Sequence, residues 1–466
     1  MRVTIVSQYF WPEQFRVNDL AVGLRERGHH VTVLTGQPSY PRRDSFPRRR
    51  RPSREWYEGV EVVRVRLASR GNGEPWRLAL NYLSFAASAS VLGVPRLPPS
   101  DVVLVYQMSP VTTALPAFLL RRIRGAPVVV WVQDLWPRTL RATGTIRSER
   151  VLGVIDRVVR AGYRRCARVL GQSEDFLPLL RAAGVPAERL DYLPNWAEGQ
   201  YRPEPPDEEV RRAAGIPDGF VAMFAGNLGV AQALETLVGA AELTRDRPEL
   251  ADMHWVVLGD GQRGAWLADE VRRRGLTGRV HLLGQAPPQQ LPALFAHADV
   301  LVTALRRDSV WALTVPSRVQ SFLACGRPVV SSADGTTGRV VAAAGGIAVP
   351  AEDPAALADA VAQVHALGPT ERAAMGVAAR EYYVTHYERA ALLDRVERHL
   401  RDAAGLSAAP VRVPTPAPAP TRPTAHGGPA VPAQPSVAAG AAGSGGPAKA
   451  KPAGPEVPAA DVTETA

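Results

Sequence analysis

Short β-branched runs alternate with amphipathic stretches along this chain, and the alternation occurs twice. That pattern allows little besides parallel sheets covered by helices. The first series starts at once. Residues 2–7 read as a buried strand, Leu20 and Leu24 belong to a helix ended by Gly28, and residues 30–35 form the next strand. Further strands are expected at 60–65, 101–106, 128–132 and 168–171, with helices at 76–94, 115–123 and 151–161. Residues 201–206 are proline-rich with acids just after, which suits a hinge. The second series has strands at 221–225, 255–258, 280–283, 300–303 and 329–332, and helices at 233–243 and 355–365. Residues 371–404 read as one helix. From Ser407 onward the chain is Pro, Ala, Gly and Thr, too apolar-poor to offset its ordering entropy, so 405–466 is expected to be a disordered tail. The expected fold class is α/β. It has an N-terminal Rossmann-like domain at 1–194, a linker at 195–215 and a second Rossmann-like domain at 216–370. Loops at the carboxyl edges of both sheets then face one cleft, where ligands bind.

Residues 314–335, TVPSRVQSFLACGRPVVSSADG, read as loop, helix, turn and strand. Pro316 fits the first helical turn, and the Ser317 hydroxyl can meet an exposed amide there. Val319, Phe322 and Leu323 form one apolar stripe, and Gly326 then Pro328 end the helix. A helix N-terminus with Arg318 in its first turn suits an anion such as a diphosphate. An ordinary helix–strand unit of an α/β domain fits the same residues.

The formal charge is +10, and the only lysines are Lys449 and Lys451. Arginine therefore carries the positive charge of the folded part, and it is a rigid bidentate partner for phosphate. The balance favours phosphate-rich ligands or an anionic surface. No zinc-finger pattern or basic helix with interleaved aromatics argues for nucleic acid. Seven arginines, Arg42, Arg43, Arg48, Arg49, Arg50, Arg51 and Arg54, crowd the expected loop at 36–56. They suit either a solvated loop or a contact with an anionic membrane or acidic acceptor. Cys166 and Cys325 are far apart, which indicates no disulfide framework or zinc site and fits a reducing cytoplasm. The N-terminus reads directly as a strand rather than a signal peptide. A dinucleotide oxidoreductase needs G-x-G-x-x-G after a strand. The first loop, SQYFWP, has no glycine, and GNLG and GDG do not fill that pattern.

Seven segments occur in order: QYFWPE, RGHHVTVLTGQPSYP, VQDLWP, LPNW, FAGNLGVAQALETL, LGDG and the 314–335 stretch. Together they resemble the retaining GT-B glycosyltransferases of family four, in particular bacterial surface-polysaccharide transferases of the fucosamine or colanic-acid type. The resemblance spans about residues 1–400. It implies a nucleoside-diphosphate sugar in the second domain and a lipid-linked or cell-surface glycan acceptor mainly in the first. It also implies retention of anomeric configuration, no metal, and a last long helix (371–404) that crosses back to the first domain.

Carried over by position, the family's Arg and Lys of the glycine loop read here as Asn227 and Gln232. Its ribose-binding glutamate reads as Ser321, the glutamate eight residues earlier as Leu313, and the Lys of its P-S-K motif as Arg318. The donor side is expected to use Gly226, Asn227, Gln232, Asp260, Gly284, Ser317 and Ser321, with Arg318 replacing the missing cations. The Gly226 amide and Asn227 are expected to donate from the facing loop. Asp134 resembles the sheet-edge position that faces the acceptor, although a strand-end Asp also serves as a cap or turn residue. Glu13 and Asn18 line the same cleft. Three readings follow: a glycosyltransferase that moves a sugar from a nucleoside-diphosphate sugar to such an acceptor, in the cytoplasm or at the inner face of its membrane; a nucleotide-sugar epimerase; and a silent sugar- or nucleotide-binding protein.

Overall fold

The computed structural model describes residues 1–38, 52–69, 74–108, 111–142, 144 and 146–406. The N-terminal sheet holds β1 (Arg2–Val6), β2 (His30–Gly36), β3 (Ser53–Tyr57), β4 (Val60–Val65), β5 (Val102–Gln107), β6 (Val128–Val132), β7 (Arg168–Gly171) and β8 (Leu190–Tyr192). Its order is β3-β4-β2-β1-β5-β6-β7-β8, parallel except for β3 on β4. The second sheet holds β9 (Phe220–Ala225), β10 (Met253–Leu258), β11 (Val280–Gly284), β12 (Val300–Ala304), β13 (Val329–Ser332) and β14 (Ile347–Val349), in the order β11-β10-β9-β12-β13-β14.

The N-terminal half carries α1 (Arg16–Glu26), α2 (Pro75–Ser88), α3 (Leu115–Arg124), α4 (Arg138–Ala142), α5 (Glu149–Tyr163) and α6 (Phe176–Ala182). The second carries α7 (Glu208–Ala214), α8 (Leu234–Arg245), α9 (Gly264–Arg273), α10 (Leu291–Phe295), α11 (Ser317–Ala324), α12 (Thr336–Ala343) and α13 (Pro354–Ala366). Then come α14 (Pro369–Tyr387) and α15 (Arg389–Ala403).

Strand alternation sorts the N-terminal core into two faces. Val3, Ile5, Leu104 and Trp131 pack with Leu20 and Leu24 of α1 and Leu393 and Val396 of α15. Val6, Leu34, Val105 and Val130 pack instead with Phe85, Leu120 and Val159 of α2, α3 and α5. The first cluster continues through Trp196 into Val319, Phe322 and Met223, so one core joins the halves.

The 371–404 stretch, expected as one helix, forms two. The break falls at Glu388, whose carboxylate accepts the Ala391 amide at 2.7 Å and starts α15. α15 returns to α1. Arg389 grips both Asp19 oxygens at 3.0 and 2.9 Å, and Leu393 sits so close to Gly23 that an added Cβ would meet it at 2.6 Å.

The expected 36–56 loop is shorter at its end, because 53–57 form edge strand β3. Arg54 lies on it and pairs with Glu61 at 3.1 Å. The arginines at 42, 43 and 48–51 lie outside the described residues, as does the tail from 407.

Candidate active site

The donor-side expectations fall on loops at the carboxyl edge of the second sheet. The Gly226 amide, expected to donate to a ligand, is instead bound to the Leu258 carbonyl at 2.8 Å, extending the β9–β10 ladder. Leu228 donates to Asp260 O at 2.9 Å and Gly259 to Gly284 O at 2.7 Å. The loops after β9, β10 and β11 are thereby tied together. Gly259 has φ +150°, and a Cβ there would lie 1.9 Å from Gly226 O, so only glycine fits this approach. Asn227 and Asp260 are exposed, with Asp260 accepting the amide of Gly261 at 2.7 Å.

α11 starts at Ser317, one residue later than expected. Pro316 is its N-cap and offers no side-chain bond, while Ser317 is exposed. The expected Ser317 cap is therefore not what starts this helix. Arg318 lies over the Phe224 ring with Cζ 4.9 Å from the centroid and donates through Nη2 to Gln232 Oε1. Its Nη1 is buried without a partner, and among the described residues no carboxylate pairs with it. Burial pulls this guanidinium down to about 10, so it remains charged at neutral pH. Gln232 is thus occupied by Arg318.

Three other arginines near this loop, Arg263, Arg306 and Arg307, are engaged with carboxylates. Arg307 pairs with Asp334 at 3.4 Å and donates to Ala351 O. Arg306 and Arg263 share one oxygen of Glu235, at 2.8 and 2.6 Å. Both lie on the glycine loop, since their amides donate to Ala231 O and Leu228 O. The Glu235 link was not foreseen, and nothing in the local sequence marks it.

Ser321 is buried and accepts a bond from Arg16 Nη2 at 3.0 Å. The same nitrogen donates to Ser317 O at 2.9 Å, and Arg16 Nη1 pairs with Glu198. The position expected to meet ribose therefore serves as a contact between the halves. A second contact joins Asp175, beyond β7, to the Thr336 hydroxyl at 2.6 Å and to Arg339 at 2.5 Å.

In the N-terminal half, Asp134 follows β6 at the sheet's carboxyl edge. Burial pushes its carboxyl up to about 7, and among the described residues no cation pairs with it. The Tyr106 hydroxyl, raised chiefly by burial, feels both the Asp134 charge and that of Arg16. Glu13 and Asn18 shape the first loop. Asn18 accepts the Trp11 amide at 3.0 Å and donates to Glu13 O at 2.7 Å, while the Glu13 carboxylate accepts the Phe10 amide at 3.3 Å.

A feature not foreseen is a row of glutamines. Gln8, Gln107, Gln133 and Gln172 stand at the ends of the neighbouring strands β1, β5, β6 and β7, and all are buried. Asn195 donates to Gln133 Oε1 at 2.9 Å, and Gln107 donates to the Tyr163 hydroxyl at 3.0 Å. The repeat of glutamine at each strand end was visible in the sequence, but only the strand order makes it a row.

Two family models match the chain: a glycosyl transferase 4-like domain over residues 14–196, and glycosyl transferases group 1 over residues 219–366. The Escherichia coli (strain K12) protein named for a colanic acid biosynthesis glycosyl transferase, WcaI, is 26% identical over 365 residues, 72% of this chain and 84% of its own. A 2-deoxystreptamine glucosyltransferase of Streptomyces kanamyceticus is 27% identical over 333 residues, 68% of this chain and 80% of its own. The crystal structure of Anabaena HepE with UDP and glucose superposes with a TM-score of 0.64 at 16% identity, covering 86% of this chain and all of that one. The chain belongs to the group 1 glycosyltransferases of the family-four type and is built on the GT-B fold.

Proposed function

We propose that this glycosyltransferase moves a sugar, with retention of configuration, from a nucleoside diphosphate to a lipid-linked or cell-surface glycan at the cytoplasmic face of the membrane. The donor lies against the glycine loop and α11, and the acceptor lies near Asp134. In the transfer, the bond from the anomeric carbon to the diphosphate oxygen breaks and a bond to the acceptor oxygen forms. The electron pair leaves with the diphosphate, and the acceptor's proton is taken up at the Asp134 carboxylate. HepE, whose crystals hold UDP-glucose, and WcaI, named for colanic acid, support the donor class and the polysaccharide setting.

The observation that carries the reading is Arg318. It is a cation with a buried, unpartnered Nη1 on the first turn of a helix, facing the glycine loop. Charge that develops on the departing diphosphate meets a guanidinium and the positive helix end already in place. Arginine in this position lets the reading dispense with a metal ion. Arg318→Ala is expected to lower kcat/KM at least about thirtyfold, roughly 2 kcal/mol, with much of the loss in kcat. Arg318→Lys restores part of the rate because the charge returns without the fork. Equal activity of Arg318→Ala and wild type would overturn the assignment.

A further inference from the structure

α2, α3 and α5 cover one face of the N-terminal sheet, and their inner residues Phe85, Leu120 and Val159 are core. Their outer residues are apolar too, which a solvated helix layer does not require. Trp76, Leu80 and Leu83 stand one turn apart along α2, and Val91 extends the stripe beyond its end. All four are between 49 and 69% exposed. On α5, Val151, Val154 and Val158 repeat at spacings of three and four and are 45–53% exposed. Ile123 projects from α3. Singly exposed apolar residues are ordinary, but successive stripes on adjoining helices are not.

The net charge on this layer is strongly positive. The three helices contain seven arginines and two acids. Both acids are already paired, Glu149 with Arg141 and Asp156 with Arg160 at 2.5 Å. Arg121, Arg122 and Arg124 close α3 beside Ile123, and Arg150 and Arg157 flank the α5 valines; all five are exposed. The geometry points to an anionic lipid bilayer as the occupant of this face, with the apolar stripes entering the headgroup boundary and the arginines meeting lipid phosphates.

Two alternatives fit less well. Trp76–Arg96 is long and apolar enough to cross a membrane by length and composition. However, Phe85, Ala89 and Val94 on its inner side are core, and a Cβ on Gly93 would meet Leu34 at 2.5 Å, so the segment lies along the sheet. A second copy placed on this face would set unpaired arginines against their equals. The inference deepens the reading of a lipid-linked acceptor and rests on it only for its biological purpose.

The test is co-sedimentation of the full chain with phosphatidylglycerol–phosphatidylcholine vesicles and with phosphatidylcholine alone, without any sugar donor. Failure there leaves the transfer reaction untouched. Wild type is expected to bind the anionic vesicles and to release as salt rises. The pairs Leu80→Gln/Leu83→Gln, Val154→Gln/Val158→Gln and Arg121→Gln/Arg122→Gln should each weaken binding about tenfold or more. These side chains are exposed, and unchanged melting curves would show that the variants fold. Three results would overturn the inference. One is wild-type binding by all three variants. Another is loss of binding only when the arginines at 42–51 are neutralised. The third is a dimer, broken by Leu83→Gln, in a protein that ignores vesicles.

Discussion

Asp134→Asn should damage turnover and raise stability together. The Asp134 carboxyl is held near 7 by burial alone, against an ordinary value of 3.8. That difference corresponds to at most about 4 kcal/mol of native-state stability lost on ionisation. The side chain keeps some contact with solvent, so about 2 kcal/mol is the realistic expectation. Between about pH 4 and pH 7 the unfolded carboxyl has lost its proton while the native one retains it. Stability therefore falls as pH rises through that window and levels off above it. Asparagine has no charge to bury. The melting temperature of Asp134→Asn should exceed that of wild type at pH 8, and the two should converge near pH 4. Turnover at pH 8 should drop by about a hundredfold or more, since a positioned base is typically worth that much, while donor binding holds. Wild-type kcat should rise through about pH 7 as Asp134 ionises. A variant that is less stable than wild type at pH 8, or that keeps activity within about threefold, would refute the reasoning.

Other residues carry further expectations. Arg16→Ala strands Glu198 and removes the bonds to Ser317 and Ser321. It should destabilise the protein by about 2–3 kcal/mol, read as a lower thermal midpoint, and an unchanged midpoint would exclude a structural role for this contact. Gly259→Ala drives a Cβ into Gly226 O at positive φ. It should cost at least about 2 kcal/mol and weaken nucleoside-diphosphate binding measured by calorimetry; wild-type affinity would show that the loop packing does not shape the donor site.

Much of the fold was legible because fully buried parallel strands leave apolar, β-branched runs, as in residues 128–132 and 300–303. The strands missed were those without such runs. β3 is a half-exposed antiparallel edge with Trp56 facing outward, and β8 and β14 are three residues each and only partly buried. At the site, Arg318 and Asp134 stood out from their motifs, but their chemistry depends on burial that no local pattern carries. Ser321 was read through the family's glutamate, yet its partner is Arg16, 305 residues away. Gly226 shows the same limit. Its loop was recognisable, but whether its amide was free depended on the neighbouring strand.

A thermal-shift panel of nucleoside diphosphates and their sugars, run in parallel on wild type and Arg318→Ala, tests the donor assignment most directly. A ligand that binds only the native state adds about 2.7 kcal/mol at a hundred times its Kd. The account predicts that at least one nucleoside-diphosphate sugar raises the wild-type melting temperature, and that Arg318→Ala loses most of that shift at the same concentration. Equal shifts in the two proteins, or none in either across the panel, would contradict it.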